Sequence, residues 1–230
     1  MALCDACDKG NLLEVQSILL SGKTNQPDLN DAFLLACERG HQDIVLLLIE
    51  HGANDFDAGL SSACYRGHKN IASFLIEKGA TNFYSAIFAA FDKGYEDIIL
   101  FLVEKNKVNQ AYLIYHCFRG ACYYGYKNVI RVMIEKGADD WDQGLKRACQ
   151  GDRKDVVLWM MKNGATNVEQ LSVDTVIYLI ENGISIKKFA SDFPNIIEEI
   201  KEFQAEIWAQ LQKLPFFHDL IRIIIDYSLL

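Results

Sequence analysis

Apolar residues recur along this chain in a pattern that returns every 27 to 31 residues. Each copy opens with an alanine followed by a cysteine or phenylalanine, passes through a glycine, and then enters an apolar run. The copies start at Ala6, Ala36, Ala63, Ala90, Ala121 and Ala148. A period in this range predicts a solenoid, because each unit is too small to bury its own apolar face and must stack on its neighbours.

The glycines within each copy predict a pair of helices. A second stop follows the internal glycine, as at Gly52 after Gly40, and a glycine there caps a helix C-terminus in the left-handed conformation. In the fourth copy Asn106 holds this place, and we expect the same conformation from it. The residues expected to pack between neighbouring units are Leu47, Leu75, Leu102 and Val132.

Two segments depart from the regular spacing. Residues 23–31 predict a longer linker after the first unit. Between Asn106 and Ala121 the chain carries an insertion, which predicts that residues 110–118 lengthen a first helix. In the sixth copy the internal glycine is shifted by one position, at Gly151.

Residues 36–53 read Ala-Cys-x-x-Gly-His-x-Asp-Ile-Val-x-x-Leu-Ile-x-x-Gly-Ala, a pattern that resembles the ankyrin repeat. The resemblance covers residues 1–183, although the Thr-Pro-Leu-His opening of the family's first helix is absent. The units are also shorter than the family's repeat of about 33 residues, which implies short loops in place of projecting hairpins. We therefore expect an all-α, ankyrin-type helical solenoid of about six to seven helix-turn-helix repeats, with residues 184–230 as a helical C-terminal cap.

Composition and charge restrict the class of partner. The chain has 230 residues, of which 50% are hydrophobic and 23% charged, so it can bury a sizeable core. Its net charge of -8 argues against nucleic acid or an anionic membrane as the main partner. No secretory signal is recognisable, and the apolar runs are too short to span a bilayer. We expect a monomer with a protein partner.

The cysteines predict buried thiols rather than a metal site. Five of the seven occupy one slot beside the repeating alanine: Cys7, Cys37, Cys64, Cys122 and Cys149. Cys4 and Cys7 form a Cys-x-x-Cys pair, but no second pair stands at zinc-ligand spacing. Free thiols in this number fit a reducing, cytoplasmic location. Because no phosphate loop or nucleophile motif occurs either, we expect no cofactor and no enzymatic activity.

The family resemblance implies where a partner binds. In ankyrin proteins the two variable positions after the repeating alanine pair face a concave groove. The residues of this chain that we predict to bind a partner there are Arg39, Tyr65, Arg66, Lys93, Tyr123 and Tyr124. Tyrosine and arginine are enriched among interface hot spots. The alternative is that these are ordinary solvated side chains. Tyr95 and Tyr126 are expected to support the groove.

The C-terminal segment suggests a second contact. Leu214 and Pro215, followed by Leu220, Ile224 and Tyr227, resemble the opening helix of an F-box, which ankyrin proteins of large DNA viruses carry at this end. The resemblance implies docking to a ubiquitin-ligase adaptor, although the remaining helices of the box are absent. The predicted function is a non-catalytic protein-binding module that acts as a substrate adaptor. The alternative is a plain scaffold or inhibitor with a purely structural cap.

Overall fold

In this computed structural model, helices and short loops make up the part of the chain that the structure describes, residues 2–106 and 110–185, with no strand among these residues. The helices are α1 Ala2–Asp8, α2 Leu12–Leu20, α3 Gln26–Arg39, α4 Gln42–Glu50, α5 Phe56–Tyr65, α6 Lys69–Glu77, α7 Phe83–Lys93, α8 Glu96–Lys105, α9 Gln110–Tyr124, α10 Lys127–Glu135, α11 Trp141–Gln150, α12 Lys154–Lys162 and α13 Val173–Glu181. The expectation of an all-α helical repeat solenoid is confirmed.

The chain divides into two compact parts, Met1–Val157 and Leu158–Leu230. In the first part, the first helices of successive pairs pack side by side in chain order, from α1 through α3, α5, α7 and α9 to α11. The second helices touch one another less extensively. In the second compact part, Ser172 accepts a hydrogen bond from the backbone N–H of Thr175 and so caps the start of α13.

Small side chains let the first helices pack closely. All six repeating alanines are buried, as are four of the five slot cysteines, whereas Cys149 is half-buried. In the fourth unit Phe91 holds the slot and is also buried. Gly120 on α9 makes room for it, since a Cβ there would lie 3.1 Å from the Phe91 ring. The larger residue is thus accommodated by removing a side chain from the next helix.

The second helices bury their seventh residue in each of the four central pairs. Leu75 and Leu102 are fully buried, as expected. In α4 and α10, however, Leu48 and Met133 are buried, whereas the expected Leu47 and Val132 are half-buried. The expectation was wrong by one residue there, because Leu47 and Val132 come one position before the residue of their helix that faces the core.

Asparagine and aspartate side chains start most of the first helices. The residues whose side-chain oxygen accepts the backbone N–H three residues later are Asn25, Asp55, Asn82 and Asp140. They supply the hydrogen bonds that the missing Thr-Pro-Leu-His opening would otherwise provide. The linker predicted at residues 23–31 is shorter than expected, because Asn25 caps α3 and Pro27 lies in its first turn.

The turns follow the predicted stops with two exceptions. Gly52, for example, has φ 103°, and Ala53 donates its N–H back to Leu48 O. Asn106 instead has φ -73° and ψ 117°, and its backbone N–H donates to Leu102 O, so the left-handed conformation expected there was wrong. In the sixth unit the left-handed residue is Asp152, one position after the glycine. The predicted longer helix after the insertion is confirmed as α9, with 15 residues.

Candidate functional site

Each unit places one side chain over the turn of the preceding unit. A Cβ on Gly40 would lie 2.5 Å from the His68 ring, whose Nε2 is 3.0 Å from Glu38 O. Tyr126 covers Gly94 in the same way and donates its hydroxyl hydrogen to a backbone carbonyl oxygen at 2.8 Å. These turns need glycine both for the left-handed φ and for the missing side chain. The contacts fix how neighbouring units are aligned.

Ion pairs join the first three units along the ends of their first helices. Arg39 Nε donates to Asp8 Oδ1 at 2.6 Å. Arg66 donates from Nη2 and Nε to Glu38 Oε1, at 2.6 and 3.0 Å. These side chains remain substantially exposed, for example 42% for Arg39. Each arginine therefore links its own helix to the preceding one while staying accessible to solvent.

Tyr65 lies between two cationic side chains. Lys93 Nζ is 4.3 Å from the centroid of its ring, and Arg66 Cζ is 5.3 Å from it. The tyrosine itself is half-buried. Cations at this distance are attracted by the negative face of the aromatic ring. Tyr65 thus contacts two further predicted binding residues, of which Lys93 lies on the next first helix.

The two predicted tyrosines of α9 have different surroundings. Tyr124 donates its hydroxyl hydrogen to Asp92 Oδ1 at 2.6 Å and stacks on Phe91, with ring centroids 5.6 Å apart. The hydrogen bond to Asp92, followed by burial, raises the pKa of Tyr124 to about 12. Tyr123 is 40% exposed and makes an edge contact with the Tyr124 ring. Tyr124 is therefore held by its own chain, whereas Tyr123 offers its ring to solvent.

A cluster of three exposed rings and one half-buried ring lies further along the same helices, and the sequence analysis did not identify it. We call Tyr84, Phe88, Tyr112 and His116 the aromatic patch. Its ring centroids are 4.6 Å apart for Tyr84 and Phe88, and 4.2 Å apart for Tyr112 and His116. The side chain of Tyr112 is 56% exposed. The signal in the sequence was the spacing of four residues on α7 and again on α9, which puts each pair on one helix face.

Two arginines give the aromatic patch a positive surrounding. Arg119 donates from Nη1 to the Tyr115 hydroxyl oxygen at 3.2 Å, and its buried Nε finds no acceptor. Arg147 donates to the side chain of Gln150. Burial lowers the pKa of His116, and the charges of Arg119 and Arg147 lower it further. The imidazole is therefore held towards its neutral form.

Burial raises the pKa of the cysteine thiols, which favours their neutral form. All seven cysteines have free thiols, and burial raises the pKa of Cys64, Cys117 and Cys122 to about 12. Few thiolates exist at neutral pH in such surroundings. Within the described residues, no three His, Cys, Asp or Glu side chains converge as a metal site would require. No helix in the same part of the chain has the length and apolarity to cross a membrane.

The repeats of this chain are similar to repeats in known proteins. Residues 3–82 match the family model for ankyrin repeats, in three copies. The crystal structure of the human ASB11 ankyrin repeat domain is similar at a TM-score of 0.58 and 23% identity, over 76% of this chain and 91% of that chain. No curated protein matches the sequence. Ankyrin repeats are typically non-catalytic scaffolds for protein–protein interaction, and the recognition made from residues 36–53 is confirmed.

Proposed function

We propose that the ankyrin repeats of this chain hold a target protein on the surface formed by the ends of their first helices. The proposed contact residues are Arg39, Tyr65, Arg66, Lys93, Tyr123 and Tyr124. The observation that supports this most is that the contacts run from one unit to the next without a break, from the Arg39–Asp8 pair to the hydrogen bond between Tyr124 and Asp92. A continuous accessible surface of tyrosine and arginine is typical of protein interfaces.

The ion pairs on this surface are weak, so they can be exchanged for ion pairs with a partner. Exposed ion pairs contribute only about 0–1 kcal/mol, because water screens the charges and ordering long side chains costs entropy. A carboxylate on a partner can therefore replace Asp8 beside Arg39 at little cost. Tyr124 is different, since its hydroxyl and ring are both engaged within the chain. Among the proposed residues we expect Tyr124 to act mainly by holding Tyr123 in place.

A photocrosslinking experiment tests this surface. A benzophenone amino acid replaces Tyr65 in one variant of the full chain and the exposed Leu46 of α4 in a control variant. After irradiation in cells, we expect a reproducible crosslinked protein from position 65 and none from position 46. Circular dichroism of both variants checks that the helices are intact. Equal crosslinking from both positions would contradict the proposed surface.

We further propose that residues 214–227 dock a ubiquitin-ligase adaptor, so that the chain acts through proximity. The relevant residues, Leu214, Pro215, Leu220, Ile224 and Tyr227, lie outside the described residues. The proposal is supported by their F-box-like pattern, as in ankyrin proteins of large DNA viruses. The seven free thiols support the cytoplasmic location that this role requires. Removing residues 214–230 should abolish adaptor binding without lowering the melting temperature of the repeats.

The second candidate is a plain scaffold or inhibitor. It is favoured by the apolar composition of residues 214–229, which is typical of a segment that caps an open end of a repeat array. In that case the same deletion should lower the melting temperature. A monomeric chain with a protein partner fits both candidates, and the net charge of -8 favours protein over nucleic acid.

A further inference from the structure

We infer that the aromatic patch of Tyr84, Phe88, Tyr112 and His116 anchors a partner segment in which a large apolar side chain stands next to a carboxylate. This rests on the proposed function, since it assigns a chemistry to the bound protein. It adds a site that lies outside the predicted contact residues and joins the same two helices, α7 and α9.

The rings supply the apolar half of the site. Tyr84, Phe88 and Tyr112 are 38%, 45% and 56% exposed, and they form one group rather than scattered side chains. The Tyr84 ring centroid is 6.1 Å from that of Tyr112 and 5.4 Å from that of His116, so the group bridges the two helices. Large rings of this kind lose little conformational entropy on binding and bury much apolar area.

Comparison of Tyr84 with the residues at the same position of the preceding repeats explains why rings are exposed here. In the two preceding units the slot of Tyr84 is held by Asn30 and Asp57. Asp57 Oδ1 accepts the backbone N–H groups of Thr81 and Asn82, and so ties two units together. A tyrosine cannot accept both hydrogen bonds in this way, and its ring joins the neighbouring aromatic side chains instead. The exchange of a structural carboxylate for a ring creates the exposed apolar surface.

The arginines supply the charged half. The chain as a whole carries a net charge of -8, yet among the described residues neither Arg119 nor Arg147 pairs with a carboxylate. Arg119 uses one N–H of its guanidinium towards Tyr115, and its buried Nε is without an acceptor. A guanidinium has several donors in a fork that matches a carboxylate. The other donors of the guanidinium and the positive field therefore favour an anionic partner group.

A cationic occupant is disfavoured by the same groups. Exposed rings alone would attract a lysine or arginine of a partner. Arg119 lies over the Tyr115 ring, with Cζ 5.1 Å from its centroid, and its charge also acts on Tyr84 and His116. A second cation at the aromatic patch would therefore be repelled.

Selection of binders to the full chain from a library of displayed random peptides tests the inference. We expect the selected peptides to share an aromatic or large aliphatic residue within two positions of Asp or Glu. Binding of a selected synthetic peptide should weaken about tenfold or more for Phe88→Ala or Tyr112→Ala. It should stay within about twofold for Leu13→Ala, which removes an apolar side chain that is 78% exposed on α2.

The charge is tested by two further variants. Arg119→Gln should weaken peptide binding, Arg119→Lys should restore part of it, and Arg131→Gln on the exposed face of α10 should leave it unchanged. Selection of basic peptides, or binding unaffected by Phe88→Ala, would overturn the inference. Peptides that lose affinity only on Tyr65→Ala would also overturn it, while leaving the proposed function intact. Failure to select any peptide would count against the aromatic patch, since crosslinking from position 65 tests the proposed function separately.

Discussion

The first helices present two different surfaces on one backbone arrangement. In the first three units they carry ion pairs, between Asp8 and Arg39 and between Glu38 and Arg66. In the fourth and fifth units they carry stacked and clustered rings, of which Phe91 is the buried member. The helix pairs follow the same order in both regions, although the turn at Asn106 departs from the left-handed pattern and α9 is longer. The difference therefore comes from side chains at a few repeated slots.

The slot beside the repeating alanine makes this difference largest. Cys7, Cys37 and Cys64 fill it in the first three units, and Phe91 fills it in the fourth. The Phe91 ring stacks on Tyr124 and on Tyr126, at interplanar angles of 16° and 4°. The charged region thus adds exposed, exchangeable ion pairs to a buried core of small side chains, whereas the aromatic region adds rings that stack on a buried phenylalanine. A repeat array can vary its binding surface in this way without changing its fold.

The largest effect is expected from truncating the buried ring. Phe91→Ala should lower the free energy of unfolding by about 3–5 kcal/mol, because it leaves a cavity under Tyr124 and Tyr126. Cys64→Ala, at the same slot of the third unit, removes only a sulfur and should cost about 1 kcal/mol. Urea denaturation of both variants measures the difference. Equal losses would mean that the two regions are held together alike.

A smaller effect is expected from the Tyr124 hydroxyl. Tyr124→Phe keeps the stacked ring but removes the hydrogen bond to Asp92, which should cost about 0.5–1.5 kcal/mol. Tyr123→Phe is the control, because the Tyr123 side chain makes no such hydrogen bond to another described residue, and it should change stability by less than about 0.5 kcal/mol. If both variants were equally stable, the aromatic region would depend on packing alone.

The ion pairs should contribute less, and in a salt-dependent way. A double-mutant cycle with Asp8→Asn and Arg39→Gln should give a coupling of about 0.2–1 kcal/mol at low ionic strength. The coupling should disappear near about 1 M NaCl, since salt screens exposed charges. Thermal melts at both salt concentrations measure it. A coupling that persists at high salt would make this pair a structural contact rather than an exchangeable one.

The smallest effect is expected from the titration of His116. Burial and two arginines lower its pKa in the folded chain, so the unfolded chain binds protons more readily. Its contribution to stability is present above the unfolded pKa of about 6.5 and is lost as the pH falls through the lowered folded value. Between about pH 8 and pH 5, wild type should therefore lose more stability than His116→Gln. Identical pH profiles would contradict a positive field at the aromatic patch.

The candidate site could be predicted only in part from the sequence. The resemblance to ankyrin repeats implied that Tyr65 and Arg66 face the binding surface, because they hold the two variable positions after the alanine pair. It did not indicate that Tyr124 bonds to Asp92, since these residues lie 32 positions apart. His116 looked isolated in the sequence, yet its ring lies against those of Tyr84 and Tyr112.

The sequence by itself determined the helix pairs, their order and the need to stack, because the spacing of alanines and glycines acts within one unit and repeats. It also determined which slots are small and buried, as at Ala63 and Cys64. Only the tertiary structure decided which side chains of different units meet. Those contacts depend on the alignment of neighbouring helices, which is set by contacts such as that of the His68 ring with the turn at Gly40. Local patterns do not encode that alignment, so the aromatic patch emerged only from the packed helices.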